Sequence, residues 1–252
     1  MKKFDEYPIL AVTSDDESYP FGMRKMSNNS VIYYKGNISL INATKNIAVI
    51  GTRKISDRGR KLAYETGCIL AKRKITLVNG LALGCDAEAI KGALSEGGKC
   101  IAVMPCGLEQ VQPRSNYRLA EQILEKGGCM ISEYPVGSSI QKYRYVERDK
   151  VQSEISQGIM IIEADENSGT MHTAEFAMRQ HKRLACYYHK MIELSKGNLL
   201  LENSGKAKVI KTQSDLEDVR RHIVGGANRT LISVLSPLRL CRTGTCRRLL
   251  TE

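Results

Sequence analysis

The stretch IAVIGTRKISDRGRKLA, residues 47–63, opens as four apolar residues, breaks at Gly51 and resumes as a charged segment with helical spacing. A continuous rather than alternating apolar run is what a strand buried on both faces requires. A strand that passes into a helix through one glycine is the repeating unit of a parallel α/β sheet. Three cations, Arg53, Lys54 and Arg58, crowd this turn. The free N–H groups of a helix start and the planar fork of Arg53 suit such a turn to holding phosphate. The plainer alternative is solvent-facing charge, with Arg53 bracing the loop against Asp86 or Glu163.

Outward from this stretch, short apolar runs recur at 76–78, 101–104, 130–132, 159–162, 184–188 and 209–210, at intervals of about 25 to 30 residues. Helical patterns lie between them: Leu62, Thr66, Ile69 and Leu70; Ala87, Ile90 and Leu94; Leu119 and Ile123; Val151 and Ile155; Ala174, Ala177 and Met178. This alternation predicts an α/β fold with a doubly wound, mostly parallel sheet and helices on both faces. Residues 1–46 read as an annex, with TSDDESYP as a polar loop and VIYYKGN as an edge strand ending in a Lys-Gly-Asn turn. Residues 47–216 form the core, and 217–252 a basic tail.

The net charge of +11 favours an anionic partner, and its distribution is uneven. Residues 220–252 hold seven arginines and one acid, a balance of +6, which leaves +5 for the rest. Composition leaves open whether this tail is a disordered basic arm or a segment foreign to the ancestral domain. The eight cysteines are scattered singly, several within apolar runs, and read as small buried hydrophobes. Cys241 and Cys246 supply two ligands where structural zinc needs four, so no metal is expected. Without a signal-like or membrane-length apolar run, a cytoplasmic protein with no membrane partner is expected.

In a doubly wound sheet ligands collect beyond the carboxyl ends of the strands. Five segments there are candidates. Gly51-Thr52-Arg53 leads to Ser56 or Asp57 as a helix cap. Residues 79–86, NGLALGCD, place Gly80 and Gly84 before a helix with Asp86 as the expected N-cap. Residues 105–108, PCGL, read as a turn. Residues 143–150, YRYVERDK, interleave aromatics with cations, as single-strand binders do when bases stack while phosphates meet Arg and Lys; Arg148 and Lys150 are the candidates. Ser168, Gly169 and Thr170 form another anion nest at a helix start. No G-x-G-x-x-G or Walker sequence follows any strand, and the four histidines complete no nucleophilic set.

Taken in order, Lys35-Gly36-Asn37, IAVIGTR with Ser56 and Gly59, NGLALGCDAEAIKGAL, IAVMPCGL, ISEYPVG, ERDKVQSEIS, IEADENSGTMHTAEFA and KGNLLLENSGKA resemble the DprA, or Smf, family of DNA-processing proteins over about residues 31–216. The specificity lies in the series. The resemblance implies an extended Rossmann fold that binds single-stranded DNA without catalysis or cofactor, as a homodimer, and helps a RecA-type recombinase load on incoming strands in natural transformation. The family's Gly-Ser-Arg turn falls on Gly51, Thr52 and Arg53, and its Gly-Leu-Ala-x-Gly-x-Asp loop on residues 80–86. Its Arg-Asn-Arg segment falls on Arg148-Asp149-Lys150, where Asp149 puts an acid in place of an amide and weakens phosphate contact. Its Ser-Gly-(Ser/Thr) turn falls on Ser168, Gly169 and Thr170, with Thr173 in the Thr-Ala that follows. The helical N-terminal module and the winged-helix domain of some members are not expected here.

Two other functions compete. One is a sensor of a small nucleotide, held in the same nests by a related Rossmann core. The other is an enzyme resembling cytokinin-activating phosphoribohydrolases, whose Pro-Gly-Gly-x-Gly-Thr-x-x-Glu motif carries a glutamate where this chain has Thr173. Glu175, two places on along a helix, points elsewhere, so the general acid/base is missing.

Overall fold

The computed structural model describes residues 3–24, 31–43, 45–189, 195–212 and 214–216, with Asp218, Arg221 and Ile223. Nine strands form one sheet among these residues: β1 (Leu10–Thr13), β2 (Val31–Gly36), β3 (Asn46–Ile50), β4 (Thr76–Asn79), β5 (Cys100–Val103), β6 (Cys129–Ser132), β7 (Gly158–Ile161), β8 (Arg183–Tyr187) and β9 (Lys208–Ile210). The helices are α1 (Asp57–Lys72), α2 (Cys85–Ser95), α3 (Tyr117–Glu125), α4 (Lys142–Glu154), α5 (Gly169–Arg179) and α6 (Lys196–Asn203). The spatial order is β1-β2-β6-β5-β4-β3-β7-β8-β9, with β3 to β9 mutually parallel.

β3 holds the middle of the parallel part, and its continuous apolar run follows from that position. Ile47 and Val49 enter the core under α1, α2 and α3, while Ala48 and Ile50 enter the opposite core, with residues of α4, α5 and α6. Each face needs apolar atoms, so no polar alternation survives. α1 starts where Ser56 Oγ accepts the Gly59 N–H, and it buries Ala63, Thr66, Gly67 and Leu70 at helical spacing. α1 and α2 approach closely at Gly67, where a β-carbon would stand 2.0 Å from the Ala89 carbonyl oxygen.

The chain winds from β3 through β4 and β5 to β6 on one side, then crosses by α4 to β7 on the other. The connections leaving β3 and β7 therefore diverge, which opens a crevice at their carboxyl ends. The register aligns those ends: Ile50 pairs with Ile161, the Ile162 N–H donates to Ile50 O at 3.0 Å, and the Thr52 N–H to Glu163 O at 2.7 Å.

Two sequence expectations change. β2 is not an edge strand: β1 lies outside it and pairs antiparallel with it, and β2 is antiparallel to β6. The four residues of β1 are too few, and too mixed in exposure, to carry a legible period. The segment 143–150 forms the first two turns of α4, which begins at Lys142. Asp86 does not cap α2, because Gly84, at φ +73°, takes the N-cap position. Cys85, Cys100, Cys106, Cys129 and Cys186 are buried thiols. No helix among the described residues is long and apolar enough to cross a membrane, and residues 224–252, most of the basic tail with Cys241 and Cys246, lie outside the described residues.

Candidate functional site

At the switch between β3 and β7 lies a cavity of about 240 Å³. Three chain segments beyond strand ends enclose it: Gly51, Thr52 and Arg53 after β3, Ala82 after β4, and Ser168, Gly169 and Thr170 after β7. Arg148, Asp149 and Gln152 of α4 also line it, with Asp86 of α2 and Thr173 of α5.

Gly51 permits this convergence. A β-carbon there would stand 2.4 Å from Cys85 Sγ and 2.9 Å from Glu163 O, so any side chain would force α2 and the β7 end apart. At the facing wall, the backbone N–H groups of Gly169 and Thr170 have no acceptor among the described residues. They sit at the amino end of an eleven-residue helix, where the dipole favours an anion. Ser168 Oγ donates to Asp165 O at 2.6 Å and leaves those donors free.

Arg53 is exposed, with its guanidinium 5.2 Å from the Tyr145 ring centroid. It pairs with neither Asp86 nor Glu163. The Asp86 carboxylate accepts from the Gly80 N–H at 2.9 Å and the Ala82 N–H at 3.3 Å, and so folds the loop back over the start of α2. Glu163 Oε2 accepts from Ser56 N and Ser56 Oγ.

Arg148 is a buried strut. Its Nε donates to Asp149 Oδ1 at 2.9 Å, and its Nη1 donates to Gly80 O at 2.7 Å and Val103 O at 3.3 Å, tying α4 to the ends of β4 and β5. Burial pushes the Asp86 carboxyl up to about 6, against the pull of Arg148 and its two amide donors. Burial also raises Asp149, opposed by Arg148.

The structure thus gathers Gly51, Thr52, Arg53, Arg148, Ser168, Gly169 and Thr170 on one cavity. Gly80 lines an adjoining, smaller one with Arg53, Leu83 and Tyr145. Gly84 makes the turn into α2. Ser56 is committed to capping α1, and Lys150 turns away to pair with Glu154 at 3.8 Å. Gln152 escaped the sequence reading, although it stands three and four residues after Asp149 and Arg148, the spacing that shares a helix face. Glu175 is exposed and pairs with Arg179, and Thr173 lines the cavity. No cluster of three His, Cys, Asp or Glu among the described residues is placed to hold a metal.

Residues 10–220 match the family described as DNA recombination-mediator protein A. The chain belongs to this family. Protein Smf of Escherichia coli is 33% identical to it over 177 residues, 69% of this chain and 46% of that protein. The DNA processing protein DprA of Streptococcus pneumoniae is 32% identical over 180 residues, 71% of this chain and 62% of that one. The chain therefore spans less than two thirds of either family member. A solved DprA from Helicobacter pylori, described for its single-stranded DNA binding mode, superposes with a TM-score of 0.72 at 26% identity, over 88% of this chain and 96% of that one. The DprA family thus shares with this chain its Rossmann-like α/β architecture.

Proposed function

We propose that the chain binds single-stranded DNA at the switch-point cavity and acts as a recombination mediator without catalysis. The observation that carries this reading is the convergence of the free amides of Gly169 and Thr170 with the Gly51–Arg53 turn on one cavity. A backbone phosphate is held by the α5 amides and the Arg53 guanidinium, and a neighbouring base stacks on Tyr145. Tyr145 is partly exposed beside Arg53, and Tyr143, two residues earlier in α4, is 57% exposed.

Gly80 and Gly84 shape the second wall rather than touch phosphate, and Arg148 acts by positioning it. The two cavity carboxylates hold loop amides and Arg148, a structural occupation that supports a non-catalytic role. Homodimerisation, a RecA-type partner and a cytoplasmic location follow from the family reading. The arginine-rich tail adds attraction for any polyanion.

Binding of oligo-dT across a salt series tests the proposal. Three or four neutralised phosphates give a log–log slope of about −2 to −3, at about −0.7 per phosphate on a single strand. Affinity that is flat in salt would instead favour a small buried nucleotide.

A further inference from the structure

The carboxylate of Asp149 stands where a bound anion should go. Its Oδ1 is engaged twice, by Arg148 Nε and Gln152 Nε2, each at 2.9 Å. Its Oδ2 accepts no hydrogen bond among the described residues, and it lies 3.7 Å from the point a β-carbon on Gly169 would occupy. That oxygen therefore faces the amino end of α5, the wall whose free amides attract a phosphate.

The charges around it nearly cancel. α4 contributes Arg148 and Asp149, while its Lys150 is turned away to Glu154. α2 contributes Asp86 and the β3 turn contributes Arg53. Glu163, behind that turn, is bound to Ser56, and the first turn of α5 carries His172 at the exposed surface. Arg148 is tied to Asp149, Gly80 and Val103, so it does not swing to a ligand. Among the described residues, an incoming phosphate thus meets one exposed cation, Arg53, and two carboxylates.

We propose that ligand binding here is coupled to proton uptake: a phosphate enters the α5 amino end together with a proton taken by the Asp149–Asp86 pair. The site then favours the monoanionic phosphodiester of a strand interior over a dianionic phosphomonoester, because the second charge meets the same carboxylates. This rests on the single-strand reading of the cavity. Burial already raises both carboxyls, Asp86 to about 6, and a nearby phosphate raises them further. A bound-state pKa above the free-state value makes affinity rise as pH falls between the two, and level off below the lower one.

The test is fluorescence anisotropy of the full chain with oligo-dT lacking terminal phosphates, at constant ionic strength from pH 8 to pH 6. Internal diesters do not titrate there, so the profile reports the protein. Wild type should bind about tenfold tighter at pH 6, one proton being worth at most tenfold per pH unit. Asp149→Asn keeps an oxygen for Arg148 and Gln152. It should bind about tenfold tighter than wild type at pH 8 and show a clearly shallower pH profile, the remaining slope being the share of Asp86. At pH 8 the dinucleotide TpT should displace the oligomer better than dTMP, and the gap should narrow in the variant.

A flat wild-type profile overturns the proposal without any variant. So does a wild-type slope retained in Asp149→Asn and lost in His172→Gln, which would place the proton on the histidine. Thermal unfolding of each variant shows that it is folded. Absence of binding to any oligomer at any pH would sink the single-strand reading itself, a different failure from binding that ignores pH.

Discussion

Arg148 and Gly80 make the contact that joins α4 to the loop after β4: Arg148 Nη1 donates to the Gly80 carbonyl at 2.7 Å, and a β-carbon on Gly80 would stand 1.7 Å from that nitrogen. Removing the guanidinium leaves Asp149 and the Gly80 carbonyl without their buried partner. Arg148→Ala should therefore cost about 3–5 kcal/mol of stability, the range for breaking a buried ion pair. Urea unfolding reads this. A variant as stable as wild type would show that α4 docks without the strut.

Arg53 predicts the opposite pattern, because it is exposed and spends no hydrogen bond on the fold among the described residues. Arg53→Ala should weaken oligo-dT binding by about 1.5–3 kcal/mol with a nearly unchanged melting temperature. Arg53→Lys should recover part of the affinity, since it keeps the charge and loses the planar fork. A lysine variant equal to wild type would reduce the arginine to a point charge.

Gly169 separates binding from folding in one substitution. Among the described residues a β-carbon there meets only Asp149 Oδ2, at 3.7 Å, an ordinary contact distance, and alanine loses less backbone freedom than glycine on entering a helix. Gly169→Ala should hold or raise the melting temperature while it narrows the cavity and weakens strand binding. Gly51→Ala, with Cys85 Sγ at 2.4 Å, should lower stability as well. Unimpaired strand binding by Gly169→Ala would move the phosphate away from the α5 amides.

At the other end of α4, burial pushes the Glu154 carboxyl up to about 7. The folded protein holds a proton that the unfolded chain releases near 4.5. Stability must then fall as pH rises from about 4.5 to about 7, and the whole cost is present above that window. Glu154→Gln has no proton to lose. Its melting temperature should match wild type near pH 5 and exceed it at pH 8, and equal melting curves at pH 8 would refute this.

The family motifs were legible because each is a local event: a glycine where chains approach, a cap, a helix start. Gly51-Thr52-Arg53 and Ser168-Gly169-Thr170 stand where a strand-helix cadence puts them. What each side chain does was less legible. Arg148 and Lys150 look equivalent in sequence, yet one lies buried beneath a loop and the other turns to Glu154. Asp86 has the composition of an N-cap, yet it holds the amides of Gly80 and Ala82, because Gly84 turns the chain before it.

The amino-acid sequence by itself determined the layered α/β plan and the turns that face the ligand. Buried strands must be apolar throughout, and a chain that alternates such runs with helical periods has few ways to cover both faces. Only the tertiary structure decided that segments more than a hundred residues apart share one cavity, and that Asp149 points its free oxygen into it. Such relations depend on strand order and on the helix face that packs inward. Both are set by the summed burial of the whole sheet, and no single motif encodes them.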